Sequence, residues 1–70
     1  MQKLHKAEIG DYIVKWLYDE PEVVEMLDAV SIYSGSAVSV IANSGYGDLV
    51  LRTQTGKFAI DADLLYGVTV

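Results

Sequence analysis

Apolar and polar positions alternate through the second half of the chain. Val38 and Val40 flank Ser39, while Leu49 and Leu51 sit two apart, as do Phe58 and Ile60. A period of two places each pair on one face of a short strand. Val50 and Arg52 then fall on the opposite face from Leu49 and Leu51. Ser34-Gly35-Ser36, the loop at 43–48 containing Gly45-Tyr46-Gly47, and Gln54-Thr55-Gly56-Lys57 supply the turns. Upstream, 12–18 is rich in β-branched and aromatic residues and predicts a further strand. Tyr12, Val14, Trp16 and Tyr18 would share one of its faces, and Ile13, Lys15 and Leu17 the other. Val68-Thr69-Val70 predicts the last strand, expected to pair back with the first and so remove free edges. About five short strands with one short helix predict a mainly β chain folded as a small closed barrel.

The helix is expected after Asp19-Glu20-Pro21-Glu22. Asp19 is placed to cap the free amides, Glu22 to complete a capping box, and Pro21 is tolerated in a first turn. Val23, Met26, Leu27 and Val30 follow at helical spacing and form one apolar stripe. About ten residues do not hold a helix alone in water, so the stripe must dock on the sheet. Near the end, Asp61 is expected to cap a single turn through 63–66, and Gly67 to end it in the left-handed conformation. The first eight residues read as a lead-in to the strand that follows Ile9-Gly10-Asp11.

Seventy residues make a single domain, 1–70. No cysteine is present, so neither a disulfide nor a thiolate metal site supports the core; the 51% hydrophobic content must do so. No apolar run approaches the ~20 residues that span a bilayer, and the start carries no signal segment, so a cytoplasmic protein without membrane insertion is expected. The net charge of −5 and five scattered basic residues argue against nucleic-acid binding, which needs a basic patch. Acids concentrate instead at Asp19, Glu20, Glu22, Glu25 and Asp28, as on the wet face of a helix or against a basic partner.

Catalytic chemistry finds little purchase. A single histidine and no cysteine leave no nucleophile–base pair, so an enzyme is not expected. Gly45-Tyr46-Gly47 lacks the following lysine and helix start of a phosphate cradle. Asp61-Ala62-Asp63 lacks the downstream residues of a calcium loop and reads as a cap. Arg52 reads as a solvated strand position rather than an arginine finger. His5 with Glu8 would make at most a weak Fe(II) or Zn(II) pair, since transition-metal sites want more nitrogen or sulfur ligands; no metal ligands and no cofactor are assigned. Binding is the remaining class. Candidate partner-binding residues are Tyr33, Ser34 and Gly35 in the turn, Tyr46 at the loop tip, and Met26 and Val30 on the helix edge.

The order of these segments resembles the ferrous iron transport protein A family (FeoA). The resemblance is carried by Leu4 with Ile9-Gly10, by Val23 to Leu27, and most clearly by Ile32-Tyr33-Ser34-Gly35-Ser36-Ala37-Val38-Ser39-Val40. Gly47-Asp48-Leu49-Val50-Leu51-Arg52, Phe58-Ala59-Ile60-Asp61, Leu64-Leu65 and Val68-Thr69-Val70 continue it. Ser34 stands where the family usually has proline, and acids replace basic residues common on its helix. The resemblance implies an SH3-like barrel acting as a non-catalytic accessory of FeoB, the ferrous iron permease, by binding its cytosolic part. The same fold occurs as the C-terminal module of iron- and manganese-dependent repressors. A regulatory module of that kind, or a direct Fe(II) binder, is the alternative, and the Met1 start favours a free-standing protein over a repressor fragment.

Overall fold

The meander expected from the alternation is present. β3 (Ala37–Asn43), β4 (Asp48–Thr53) and β5 (Gly56–Asp61) pair antiparallel in sequence order. β1 (Gly10–Ile13) joins the other edge of β3, giving the order β1-β3-β4-β5. A second sheet pairs β2 (Trp16–Leu17) with β6 (Val68–Thr69). One helix, α1 (Pro21–Ala29), and two 3₁₀ turns, Leu4–Lys6 and Ala62–Leu65, complete the chain. This computed structural model describes residues 1–70. The two sheets and α1 enclose one core as a small SH3-like barrel. Val38, Val40, Leu49 and Leu51 all point into it and are buried, as their spacing requires. No helix is long and apolar enough to cross a membrane.

The first extended segment is two strands rather than one, which makes six in all. Val14 still belongs to the large sheet: its N–H donates to the Ser36 carbonyl, and its own carbonyl accepts from Gly35 N–H. One residue on, Lys15 N–H donates to Thr69 of the small sheet. The chain therefore turns a barrel corner at Val14-Lys15, and its in–out alternation changes phase there. Tyr12 and Val14 pack inward, but Trp16 and Tyr18 face solvent while Leu17 packs on the core. A single face shared by Tyr12, Val14, Trp16 and Tyr18 does not form.

The lead-in is part of the structure. Leu4 and Ala7 are fully buried in the core. Lys3 bridges to Thr69, and Gln2 and Val70 exchange both backbone hydrogen bonds at 2.8 Å. The last strand thus lies between the N-terminal residues and β2, and it closes onto the second half of the first extended segment. The barrel is not sealed all round. β5 pairs with β4 alone, and its outer edge faces no strand.

α1 starts one residue later than the acidic signal suggests. Glu20 is its N-cap and makes no side-chain cap bond; the Asp19 carboxylate accepts instead from Glu20 N–H at 2.8 Å. Pro21 occupies the first turn, where its fixed φ suits the helix and its missing N–H costs nothing. The preceding residue is held extended, so the start falls at Pro21. At the other end Ser31 N–H donates to Asp28 and Ile32 N–H to Leu27, a Schellman closure. Ser31 takes the left-handed position of that closure, with φ 66°. A Cβ there costs roughly 1 kcal/mol relative to glycine. Ser31→Gly is therefore expected to raise stability by about 0.5–1 kcal/mol, read as a higher urea midpoint at unchanged slope.

Asp61 caps the second 3₁₀ turn as expected, accepting from Asp63 N–H at 2.8 Å. Gly67 does not adopt the left-handed conformation. It is needed for space: its Cα passes against the Tyr18 carbonyl, and its own carbonyl accepts from Tyr18 N–H at 3.0 Å.

Candidate docking surfaces

The apolar stripe of α1 is only partly used by the core. Leu27 is buried and Val23 and Val30 pack against it, but Met26 remains 40% exposed. The side chains of Met26 and Val30 instead form one wall of a trench of about 250 Å³. The opposite wall is the outer edge of β5 from Phe58 to Asp61, and Leu64 of the 3₁₀ turn lies at one end. Phe58 and Ile60, expected to point inward, are half-buried here rather than sealed in the core. Asp61 is the one acid among its lining residues. The floor and walls are otherwise hydrophobic. Such a groove suits an apolar side chain or an extended segment.

Tyr33 and Ser34 lie elsewhere. They border a smaller hollow, about 230 Å³, with Leu17, Val24 and Ile32. Their turn is stitched in place by Ser36, whose hydroxyl donates to the Tyr33 carbonyl at 2.7 Å and accepts from Tyr33 N–H at 3.0 Å. Gly35 reaches φ 92° and donates to Val14 at the barrel corner. Its part in the turn is conformational. Tyr46 is 83% exposed at its loop tip and borders a third, polar basin with His5, Lys6, Asn43, Asp63 and Tyr66. The six residues singled out in the sequence thus fall at three separate places: Met26 and Val30 at the trench, Tyr33 and Ser34 at the second hollow with Gly35 in their turn, and Tyr46 at the basin. The trench wall formed by β5 was missed, because alternation alone cannot tell a strand inside a sheet from one at its open edge.

His5 is not the free terminal side chain that its position suggests. Its ring packs on Tyr66 with centroids 4.2 Å apart and planes tilted 44°, and Nδ1 is enclosed without a hydrogen-bond partner. Burial holds its pKa below the usual 6.5, helped by the charges of Lys6 and Lys3 and opposed by Asp63. The folded protein therefore binds this proton less readily than the unfolded chain. Stability should be full above about pH 6.5 and decline as pH falls towards the lower folded value. Thermal melts across that window are expected to show the decline, and His5→Gln to flatten it; an unchanged slope in the variant would contradict the assignment. Glu8 lies outside the Leu4–Lys6 turn, and no group of three His, Cys, Asp or Glu side chains gathers as a metal site.

The architecture places the chain among small SH3-like barrels with a helix laid beside the sheet. More narrowly, it has the FeoA fold. The crystal structure of an iron uptake regulatory protein, FeoA, superposes with a TM-score of 0.88 at 19% sequence identity, covering 96% of this chain and 91% of that one. The solution structure of a FeoA protein from Chlorobium tepidum gives 0.81 at 20% identity, covering 97% of this chain and 67% of that one. No protein-family model and no curated protein matches the sequence. The likeness is one of fold.

Proposed function

We propose that this chain is a non-catalytic adaptor of ferrous iron uptake that acts in the cytoplasm on the cytosolic part of a FeoB-type permease. The observation that carries this reading is the near-complete superposition on FeoA structures, over 96% and 97% of the chain. The trench at Met26 and Val30 supports it, since an apolar groove with Asp61 at one margin suits a partner segment with apolar and basic side chains. Docking there would bury Met26 and desolvate the β5 edge, the kind of apolar anchor that dominates interface energies.

The test is titration of the cytosolic part of the cognate permease, followed by calorimetry. Saturable binding is expected, weakened at least about tenfold by Met26→Glu or Val30→Glu, each of which places a charge in the apolar trench. A strain lacking the gene should take up less ferrous iron. No association, together with unchanged uptake in that strain, would sink the proposal.

A further inference from the structure

The phase of the β4–β5 ladder fixes which backbone groups of β5 are free. Thr53 and Gly56 are partners on either side of a two-residue turn, and Ala62 N–H donates to the Gly47 carbonyl at the far end of the same register. Hydrogen-bonded pairs alternate along an antiparallel ladder, so Gly56, Phe58 and Ile60 bond to β4. Lys57, Ala59 and Asp61 then direct their N–H and C=O groups away from β4, into the open seam. The Asp61 carbonyl is the exception, because Asp61 is the N-cap of the 3₁₀ turn and its C=O accepts the first bond of that turn. No strand pairs with this edge, which lines the trench across from Met26 and Val30 of α1.

The side chains on that edge are self-complementary. Lys57 and Asp61 stand two residues on either side of Ala59. When β5 meets a second β5 antiparallel with Ala59 opposite Ala59, each Lys57 faces the other copy's Asp61. The two Ala59 residues then exchange both backbone bonds, each Lys57 carbonyl meets the other copy's Asp61 N–H, and the small Ala59 methyls sit at the two-fold axis. On the trench face the same register sets Phe58 of each copy beside Ile60 of the other, an apolar pair above a groove with room for it. Sliding by four residues in either direction sets Lys57 on Lys57 or Asp61 on Asp61, which repel. Sliding by two leaves both charges without a partner of opposite sign within the strand. A charged edge ordinarily guards against pairing; here the placement of the two signs favours one register.

We infer that two copies of this chain associate through their β5 edges, antiparallel and centred on Ala59, to form an isologous dimer. The inference depends only on the register and charges of one strand, but that edge also walls the trench, so self-association and permease docking there would compete.

Sedimentation equilibrium of the chain over a wide concentration range should show a monomer–dimer equilibrium that weakens as salt is raised. Hydrogen exchange at the Lys57, Ala59 and Asp61 amides should slow as concentration rises. Ala59→Pro removes only an outward N–H, so it should leave the fold intact and abolish the dimer. Lys57→Glu and Asp61→Lys should each weaken self-association about tenfold by setting like charges opposite. An equimolar mixture of those two variants should dimerise again, because each restores the other's missing sign. Asp61→Lys also removes a cap, so circular dichroism checks its fold; should it unfold, Ala59→Pro and the exchange data decide alone. A single monomeric mass at every concentration, leaving the seam to an unlike partner, overturns the inference. So does a dimer that Ala59→Pro leaves intact.

Discussion

Gly67→Ala is expected to cost about 4 kcal/mol, near the upper end of what single substitutions do. A Cβ built at Gly67 lies 2.0 Å from the Tyr18 carbonyl oxygen and 2.9 Å from its carbon. Both are backbone atoms, and the segment cannot step aside. Tyr18 N–H is bonded to the Gly67 carbonyl, Trp16 pairs with Thr69, and Lys15 N–H is bonded to Thr69. Relieving the overlap means opening the small sheet. A domain of this size has roughly 3.5–10 kcal/mol in total, so the variant should be partly unfolded at room temperature. Urea unfolding followed by circular dichroism measures it. A midpoint within about 1 kcal/mol of the parent would mean that the backbones can separate cheaply.

Leu51→Ala should fall in the same range. Leu51 is fully buried at the centre of β4, opposite Val40 of β3 and Phe58 of β5. Its truncation removes buried apolar volume where strands on both sides resist collapse, a change that costs about 2–5 kcal/mol. Leu51→Met, close in volume, should cost less than about 1.5 kcal/mol. The contrast between the two variants in one unfolding series separates lost packing from any special role of leucine. Equal effects would argue against a tightly packed site.

The meander was legible because its signal is local. Val38 and Val40, then Leu49 and Leu51, carry a period of two that no helix satisfies, and the turns between them announce themselves in glycine and polar residues. Asp61 was legible as a cap for the same reason: donor and acceptor lie two residues apart. The corner at Val14-Lys15 was not, since the phase change follows from which distant strand each residue bonds. Leu4 and Ala7 look like a lead-in until Lys3 is seen against Thr69, sixty-six positions away by sequence. Gly67 was correctly marked as special, but for the wrong cause; a close approach to Tyr18 leaves no trace in its neighbours.

The candidate surfaces were legible in part. Met26 and Val30 stand out because a helical stripe wider than the core can bury leaves apolar residues at its margin. The facing wall, Phe58 to Asp61, looks like any alternating strand. What makes it a surface is the lack of a neighbour, a property of topology. Tyr33, Ser34 and Gly35 share a turn whose demands on geometry explain the glycine and Ser36 without a partner.

The reciprocal bonds between Gln2 and Val70 set how the domain answers to tension. Both chain ends leave from the same extremity of one antiparallel ladder, and its bonds run across the strands. Pulled by its ends, the protein would be loaded one rung at a time, first Gln2–Val70 and then Lys3–Thr69. It would therefore peel open like a zipper under modest force, where a barrel gripped at opposite extremities would have to shear all its rungs together.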